Sequence, residues 1–211
     1  MSTNIAVLVS GGGTNLQALI DAQSRGELGG GKITAVISSK PGAYALERAA
    51  KAGIPGFVLP RKEFTSNRDM TLALVEKLKE LKTDLVVLAG CMVIFTRELA
   101  DAYPNAVMNV HPALIPSFCG PGYYGLRVHE EALRYGVKVS GATVHFVTEE
   151  CDGGPIIAQK CVPIQEGDTP EVLQKRIMTE AEWKLLPQAV SLFCQGRLKV
   201  EGRHVIIKEE A

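Results

Sequence analysis

Ile5-Ala6-Val7-Leu8-Val9-Ser10-Gly11-Gly12-Gly13-Thr14-Asn15-Leu16 is the stretch from which the rest of the chain is read. Its five apolar residues, closed by glycine, read as a strand covered on both faces. From residue 16 to 24 the spacing becomes helical, with Leu16, Leu19 and Ile20 on one side. Strand, glycine turn and helix in that order open a strand–helix alternation that the following residues continue.

Residues 33–37 read as a second strand, 43–52 as a helix stopped by Gly53, and 57–59 as a short third strand. Over 70–81 a helical stripe takes in Leu72, Leu74, Val75, Leu78 and Leu81. Residues 85–89 form the most apolar strand, read as central. Thr96 is placed to cap a short helix running to Tyr103, ahead of Pro104. A strand over 106–110 leads into a Pro- and Gly-punctuated loop, 112–125. A helix over 127–135 ends at Gly136, and strands follow at 139–147 and within 154–161. Thr169-Pro170-Glu171 opens the last long helix, with Thr as cap, Pro at the first position and an acid in the first turn. Pro187 should kink or divide it. Lys199-Val200 and 204–208, around Glu201-Gly202, read as a terminal hairpin.

The expected fold is therefore α/β and Rossmann-like, a mostly parallel central sheet with helices on both faces and a mixed C-terminal half. It is read as one domain over 1–211. Such sheets bind ligands at the carboxyl ends of their strands, where strand order switches.

Composition narrows the class. Hydrophobic residues make up 46% and charged residues 22%, with 21 Gly and 11 Pro, proportions that argue against disorder or a collagen-like repeat. The 23 Lys and Arg balance 23 Asp and Glu, which argues against a nucleic-acid partner. The apolar runs of residues 5–9 and 85–89 fall far short of the about 20 residues a bilayer requires, so no membrane association is expected. Met1-Ser2-Thr3-Asn4 lacks the basic flank and long apolar region of a signal peptide. Five cysteines, Cys91, Cys119, Cys151, Cys161 and Cys194, include no Cys-x-x-Cys pair. That pattern argues against a disulfide framework and a structural zinc, and reads as free thiols in a reducing, cytoplasmic setting.

Two constellations carry chemistry. The first is Gly11-Gly12-Gly13-Thr14-Asn15, where glycines allow a sharp turn and close approach of an anion, and a helix start supplies unpaired amides. A dinucleotide fingerprint would need Gly at Leu16 and an acid where Ser38-Ser39-Lys40 stand, and a P-loop would need a Lys after the glycines. A phosphomonoester held by Gly13, Thr14 and Asn15 fits better than either; a plain strand-to-helix turn is the alternative. The second is Asn109 and His111, two apart on one strand face before Pro112. An amide and a charged imidazole together suit an oxyanion. Asp152, ahead of Gly153-Gly154, is the nearest candidate for keeping His111 charged. The competing readings are a structural His at a strand end and an ordinary Asp-Gly-Gly turn. His145 is read as a strand residue on a half-buried face, and neither His129, on a helix, nor His204, near the C-terminus, shows metal-like spacing. Cys91 and Cys119 have no evident base beside them.

Asn109-Val110-His111-Pro112-Ala113-Leu114-Ile115-Pro116, with Gly120 after it, resembles the signature of the 10-formyltetrahydrofolate-using formyltransferases. Asp152-Gly153-Gly154-Pro155-Ile156 resembles their second motif. Residues 7–16 narrow the resemblance to the branch that formylates glycinamide ribonucleotide, and motif order is kept over nearly the whole chain. The resemblance implies catalysis by Asn109, His111 and Asp152, with 10-formyltetrahydrofolate as cosubstrate and no metal. It implies that Gly13, Thr14 and Asn15 hold the phosphate of glycinamide ribonucleotide. Folate is implied near Met92, Val93, Ile94 and Phe95, at Asn109, and along Thr148, Glu149, Glu150, Cys151 and Asp152. Val93 stands where the family has Arg. A family Arg that touches substrate or folate matches Arg68. A family Glu that holds the ribose matches Glu182 counted back from Pro187, whereas counting forward from Arg176 reaches Ala181; the carboxylate, which can accept ribose hydroxyls, is preferred. The resemblance implies small-molecule partners and a monomer or homodimer. Formyltetrahydrofolate deformylase and methionyl-tRNA formyltransferase share the logic but typically carry a further domain, and the tRNA enzyme should be more basic. A phosphosugar-binding module without catalysis is the remaining alternative.

Overall fold

The computed structural model describes residues 2–209; Met1, Glu210 and Ala211, which the 1–211 reading includes, lie outside the described residues. Strand β1 (Thr3–Val9) feeds helix α1 (Thr14–Ser24), then β2 (Gly31–Ser38), α2 (Tyr44–Lys51) and β3 (Gly56–Val58). Helix α3 (Asn67–Glu80), β4 (Leu85–Leu88), α4 (Arg97–Ala102) and β5 (Val107–His111) follow. The second half comprises α5 (Leu126–Tyr135), β6 (Val139–Phe146), β7 (Ile156–Pro163), α6 (Pro170–Ile177), α7 (Trp183–Cys194) and the hairpin β8 (Leu198–Glu201) and β9 (His204–Ile207).

The strands form one sheet in the order β3-β2-β1-β4-β5-β6-β7-β9-β8. From β3 to β5 every pairing is parallel, whereas β6 runs antiparallel to both β5 and β7. This is the expected Rossmann-like sheet with a mixed C-terminal half. Strand β1 shows why its run of apolar residues is uninterrupted. Ile5, Val7 and Val9 pack with Leu16, Leu19, Ala45 and Leu186 on one face, while Ala6 and Leu8 pack with Leu74, Leu78 and Leu99 on the other. A side-chain period of two on a sheet covered by two helical layers requires apolar residues at every position. Each fully buried Leu or Val of this kind contributes about 1.5–3 kcal/mol. Strand β4, between β1 and β5, is buried at all its residues.

Three local expectations change. Leu72 leaves the apolar stripe of α3 and is 43% exposed, because the buried face runs through Met70, Leu74, Val75 and Leu78. Thr96 occupies the cap position of α4 without a side-chain bond to it; its amide instead donates to Thr71 Oγ1 at 3.1 Å. The last long helix is divided, but the division is a π turn over Met178–Glu182, and Pro187 sits inside α7. Proline has no N–H for the carbonyl of Trp183, four residues back, and the irregular turn lies immediately upstream of that residue.

Candidate functional site

Strands β2 and β3 extend from one side of β1, and β5 lies beyond β4 on the other. Strand order thus reverses between β1 and β4, and ligands of such sheets bind outside that point. A cleft of about 570 Å³ lies there, reached by the start of α1, the segments 90–95 and 120–125, the end of β5, and residues 147–152.

Asn109 and His111, on one face of β5, meet Asp152 in this cleft. Asp152 Oδ2 is 3.5 Å from His111 Nδ1, and Oδ1 lies 3.4 Å from Asn109 Nδ2, which donates to it. Asp152 takes a left-handed backbone, φ 54°, and the turn behind it lies directly on β6. A Cβ at Gly154 would sit 1.8 Å from the carbonyl oxygen of Phe146, so only glycine admits this approach. The Asp-Gly-Gly segment is a turn, and the turn carries the carboxylate into the cleft.

The 112–125 loop touches both reactive groups. Gly120 N donates to Asp152 Oδ2 at 2.9 Å, and His111 Nε2 lies 2.8 Å from the carbonyl oxygen of Phe118. A carbonyl can only accept, so the imidazole proton resides on Nε2 and Nδ1 faces the carboxylate. Burial works to raise the Asp152 pKa, but the nearby His145, the His111 field and the Gly120 amide outweigh it and hold the carboxyl below its usual range. For His111 the expectation of a standing charge is corrected. Burial pushes its pKa below 6.5, against the opposing pull of Asp152 and the Phe118 carbonyl. In the neutral form that burial favours, its Nδ1 is an open lone pair 3.5 Å from Asp152, longer than a hydrogen bond should be.

Two histidines belong to the cleft that sequence reasoning set aside. His145 is buried, not half-buried. Its Nε2 is 3.2 Å from Asn109 Nδ2, and Nδ1 donates to the Phe146 carbonyl at 2.8 Å. The only signal for it is register, since His145 is the residue paired with Asn109 across β5 and β6. His129 is fully buried on α5 and lines the cleft, and neither ring nitrogen has a protein partner. Burial and the neighbouring His111 push its pKa down to about 4.

The glycine turn ends with Gly13 at φ 70°, where a Cβ would meet Ala45 Cβ at 2.6 Å. The first backbone bond of α1 runs from Gln17 N to Gly13 O, which leaves the amides of Thr14 and Asn15 without helical acceptors. Asn15 Nδ2 donates to Glu182 Oε2 at 2.6 Å. Glu182 is the last residue of the π turn and lines the cleft. Burial raises the Glu182 pKa, with the Asn15 bond opposing.

Met92, Val93, Ile94 and Phe95 form another wall of the cleft, tied to the residue before the glycine turn by Met92 N donating to Ser10 Oγ at 2.8 Å. Thr148, Glu149, Glu150 and Cys151 continue that wall to Asp152. Arg68 does not reach the cleft lining. Its Nε pairs with Glu98 Oε1 at 2.6 Å on an exposed surface, because the first turn of α3 faces α4. Among the described residues, no group of three or more His, Cys, Asp or Glu is placed to hold a metal ion, and no helix is long and apolar enough to cross a membrane.

Residues 3–190 match the model of the formyl transferase family. A phosphoribosylglycinamide formyltransferase of Haemophilus influenzae is 42% identical over 197 residues, covering 93% of this chain and 90% of that protein. The crystal structure of glycinamide ribonucleotide transformylase 1 from Symbiobacterium toebii superposes with a TM-score of 0.93 at 44% identity, covering 99% of this chain and 95% of that one. A formyltetrahydrofolate deformylase from Pseudomonas syringae has the same fold at 26% identity, TM-score 0.88, with 67% of its own length covered and 99% of this chain.

Proposed function

The chain belongs to the formyl transferase family, and from that premise we propose that it is a phosphoribosylglycinamide formyltransferase of purine biosynthesis. It passes the formyl group of 10-formyltetrahydrofolate to the amine of glycinamide ribonucleotide. The observation that carries the reading is the meeting of Asn109, His111 and Asp152 at 3.4–3.5 Å in a cleft that Thr14 and Asn15, at the start of α1, also line.

In the proposed reaction the substrate amine attacks the formyl carbon, a C–N bond forms, and the carbonyl oxygen becomes an oxyanion. Neutral His111 takes the amine proton on Nδ1, where the ionised Asp152 stabilises the new imidazolium. Asn109 and the charged His111 stabilise the oxyanion, Asn109 by exchanging its long bond to Asp152 for a bond to that oxygen. Collapse of the intermediate breaks the bond to the folate nitrogen, which receives the proton from His111. His145 holds Asn109, and Phe118 fixes the His111 tautomer. Gly13, Thr14 and Asn15 bind the phosphate and Glu182 the ribose, while the 92–95 and 148–152 segments flank the folate. Arg68, paired with Glu98 outside the cleft lining, is retained as the candidate contact to substrate or folate. As drawn, the step uses side chains and two small molecules in the cytoplasm, within one domain of a monomer or homodimer.

The test is formyl transfer by purified protein, with product formation followed in the presence and absence of glycinamide ribonucleotide. Turnover only with that substrate is expected. Formate release at the same rate without it would reassign the protein as a hydrolase, and binding without any turnover would leave a phosphosugar module.

A further inference from the structure

Helix α2 stands behind the glycine turn and takes both of its rear carbonyls. Ala45 N donates to Gly11 O at 3.1 Å, and Arg48 Nε donates to Gly12 O at 2.8 Å. The Arg48 fork is itself fixed: Nη1 donates to Gln17 Oε1 at 2.9 Å, and the guanidinium carbon lies 4.9 Å from the centre of the Tyr44 ring. In a trans peptide the C=O and the following N–H point in opposite directions. Anchoring the Gly11 and Gly12 carbonyls on α2 therefore turns the N–H groups of Gly12 and Gly13 away from it, to the open side of the turn. Nothing lies within 4 Å of where a Cβ at Gly11 or Gly12 would stand.

We propose that Arg48 is a positioning residue for the phosphate of the substrate. It locks the Gly12–Gly13 peptide so that the Gly13 amide faces the anion, and it places a cationic guanidinium behind that peptide. The proposal rests on the reading that this turn holds a phosphate. It adds to it the residue that pre-sets the turn, so that the cost of ordering the peptide is met in folding and not in binding.

Arg48→Met removes the charge and the donors, and Arg48→Lys keeps the charge but loses the planar fork. For Arg48→Met the KM for glycinamide ribonucleotide should rise roughly tenfold or more, as expected on losing a charge-assisted contact network. The competitive Ki for inorganic phosphate should rise in step, with kcat and the folate KM held within about twofold. Arg48→Lys should fall between wild type and Arg48→Met, and it keeps the test alive if Arg48→Met does not fold. A residue that only stabilised the fold would lower the melting temperature without this split. Thr14→Asp separates the two layers of the argument, because its carboxylate favours the helix start yet repels an anion bound there. A raised substrate KM in Thr14→Asp with no change in either Arg48 variant overturns the Arg48 assignment alone. No change in Thr14→Asp overturns the phosphate reading beneath it, and the Arg48 proposal with it.

Discussion

Asn15 Nδ2 donates to Glu182 Oε2 at 2.6 Å, a buried bond between residues 167 positions apart. It joins the first turn of α1, where backbone amides lack acceptors, to the π turn that precedes α7. Asn15 Oδ1 has no protein partner, and Glu182 is pushed toward protonation by its burial. The pair thus offers an amide oxygen and a carboxyl group beside the glycine turn, a polar surface suited to sugar hydroxyls.

Removing Glu182 tests that surface. Glu182→Gln keeps the size and an acceptor for Asn15, and should raise the KM for glycinamide ribonucleotide about tenfold with little change in melting temperature, as for loss of a charged hydrogen bond. Glu182→Ala leaves the Asn15 amide unsatisfied and should also cost ~1–3 kcal/mol of stability. Steady-state kinetics and thermal denaturation read the two effects. An unchanged substrate KM in both variants would take Glu182 out of the substrate site.

His129 predicts a pH dependence of stability. Its folded pKa is about 4, against an ordinary 6.5. Above 6.5 both folded and unfolded states hold it neutral, and nothing is lost. As pH falls from 6.5 toward 4, the unfolded chain binds a proton that the folded site refuses, so stability falls. From this group alone the loss between pH 7 and pH 5 is on the order of 2 kcal/mol. Urea unfolding at both pH values should show a smaller loss in His129→Gln than in wild type. Equal losses would assign the dependence to other groups, His111 first.

The thiols should differ in reactivity. All five cysteines are free, and Cys161 is exposed. Burial pushes the Cys91 thiol up and carries Cys194 to about 11, while burial and the Asp152 charge carry Cys151 to about 11. Since the thiolate is the reactive form, a maleimide at neutral pH should label Cys161 first in the native protein and Cys91 last. Denatured, unreduced protein should titrate five thiols. Mass spectrometry of timed samples checks the order, and early labelling of Cys91 would contradict the packing around it.

What the sequence disclosed and what it hid follow from how far each relation reaches along the chain. Gly13, Thr14 and Asn15 were legible because the strand, the turn and the helix start are local. Asn109 and His111 were legible because two residues on one strand must share a face. His145 was not, since its place beside Asn109 depends on which strand pairs with β5 and in what register. Arg68 was assigned to a ligand from the motif, and its pairing with Glu98, which depends on how α3 packs on α4, could not be read from the sequence. Arg48 left no trace at all, because it works through a backbone carbonyl and any glycine turn looks alike without its neighbours. The charge on His111 was misjudged for a related reason. A nearby carboxylate can be inferred from motifs, whereas the burial that outweighs it is a property of the whole cleft.

That correction sharpens what Asp152 should do. If His111 is neutral at rest, the carboxylate matters when the imidazole takes up the amine proton, so its effect belongs to the transition state. Asp152→Asn keeps an oxygen that can still accept from Gly120 N, now at 2.9 Å, and so preserves the loop contact. It removes the negative charge 3.5 Å from His111 Nδ1. Turnover should fall by ~10²–10³, about 2.7–4 kcal/mol, the usual scale for one preorganised electrostatic contact. Dissociation constants for both substrates should change little, because the charge they would sense is not yet formed. The sign of the pH effect follows as well. Asp152 raises the His111 pKa and burial lowers it, so removing Asp152 moves it further down. Turnover by wild type should rise with pH as His111 loses its proton, and in Asp152→Asn that rise should shift to lower pH while the plateau drops. Kinetics across pH on folded protein, with binding measured separately, read all of this. A turnover loss under about tenfold, ~1.4 kcal/mol, with an unmoved acid limb would remove Asp152 from the mechanism and leave His145 as the group nearest to Asn109.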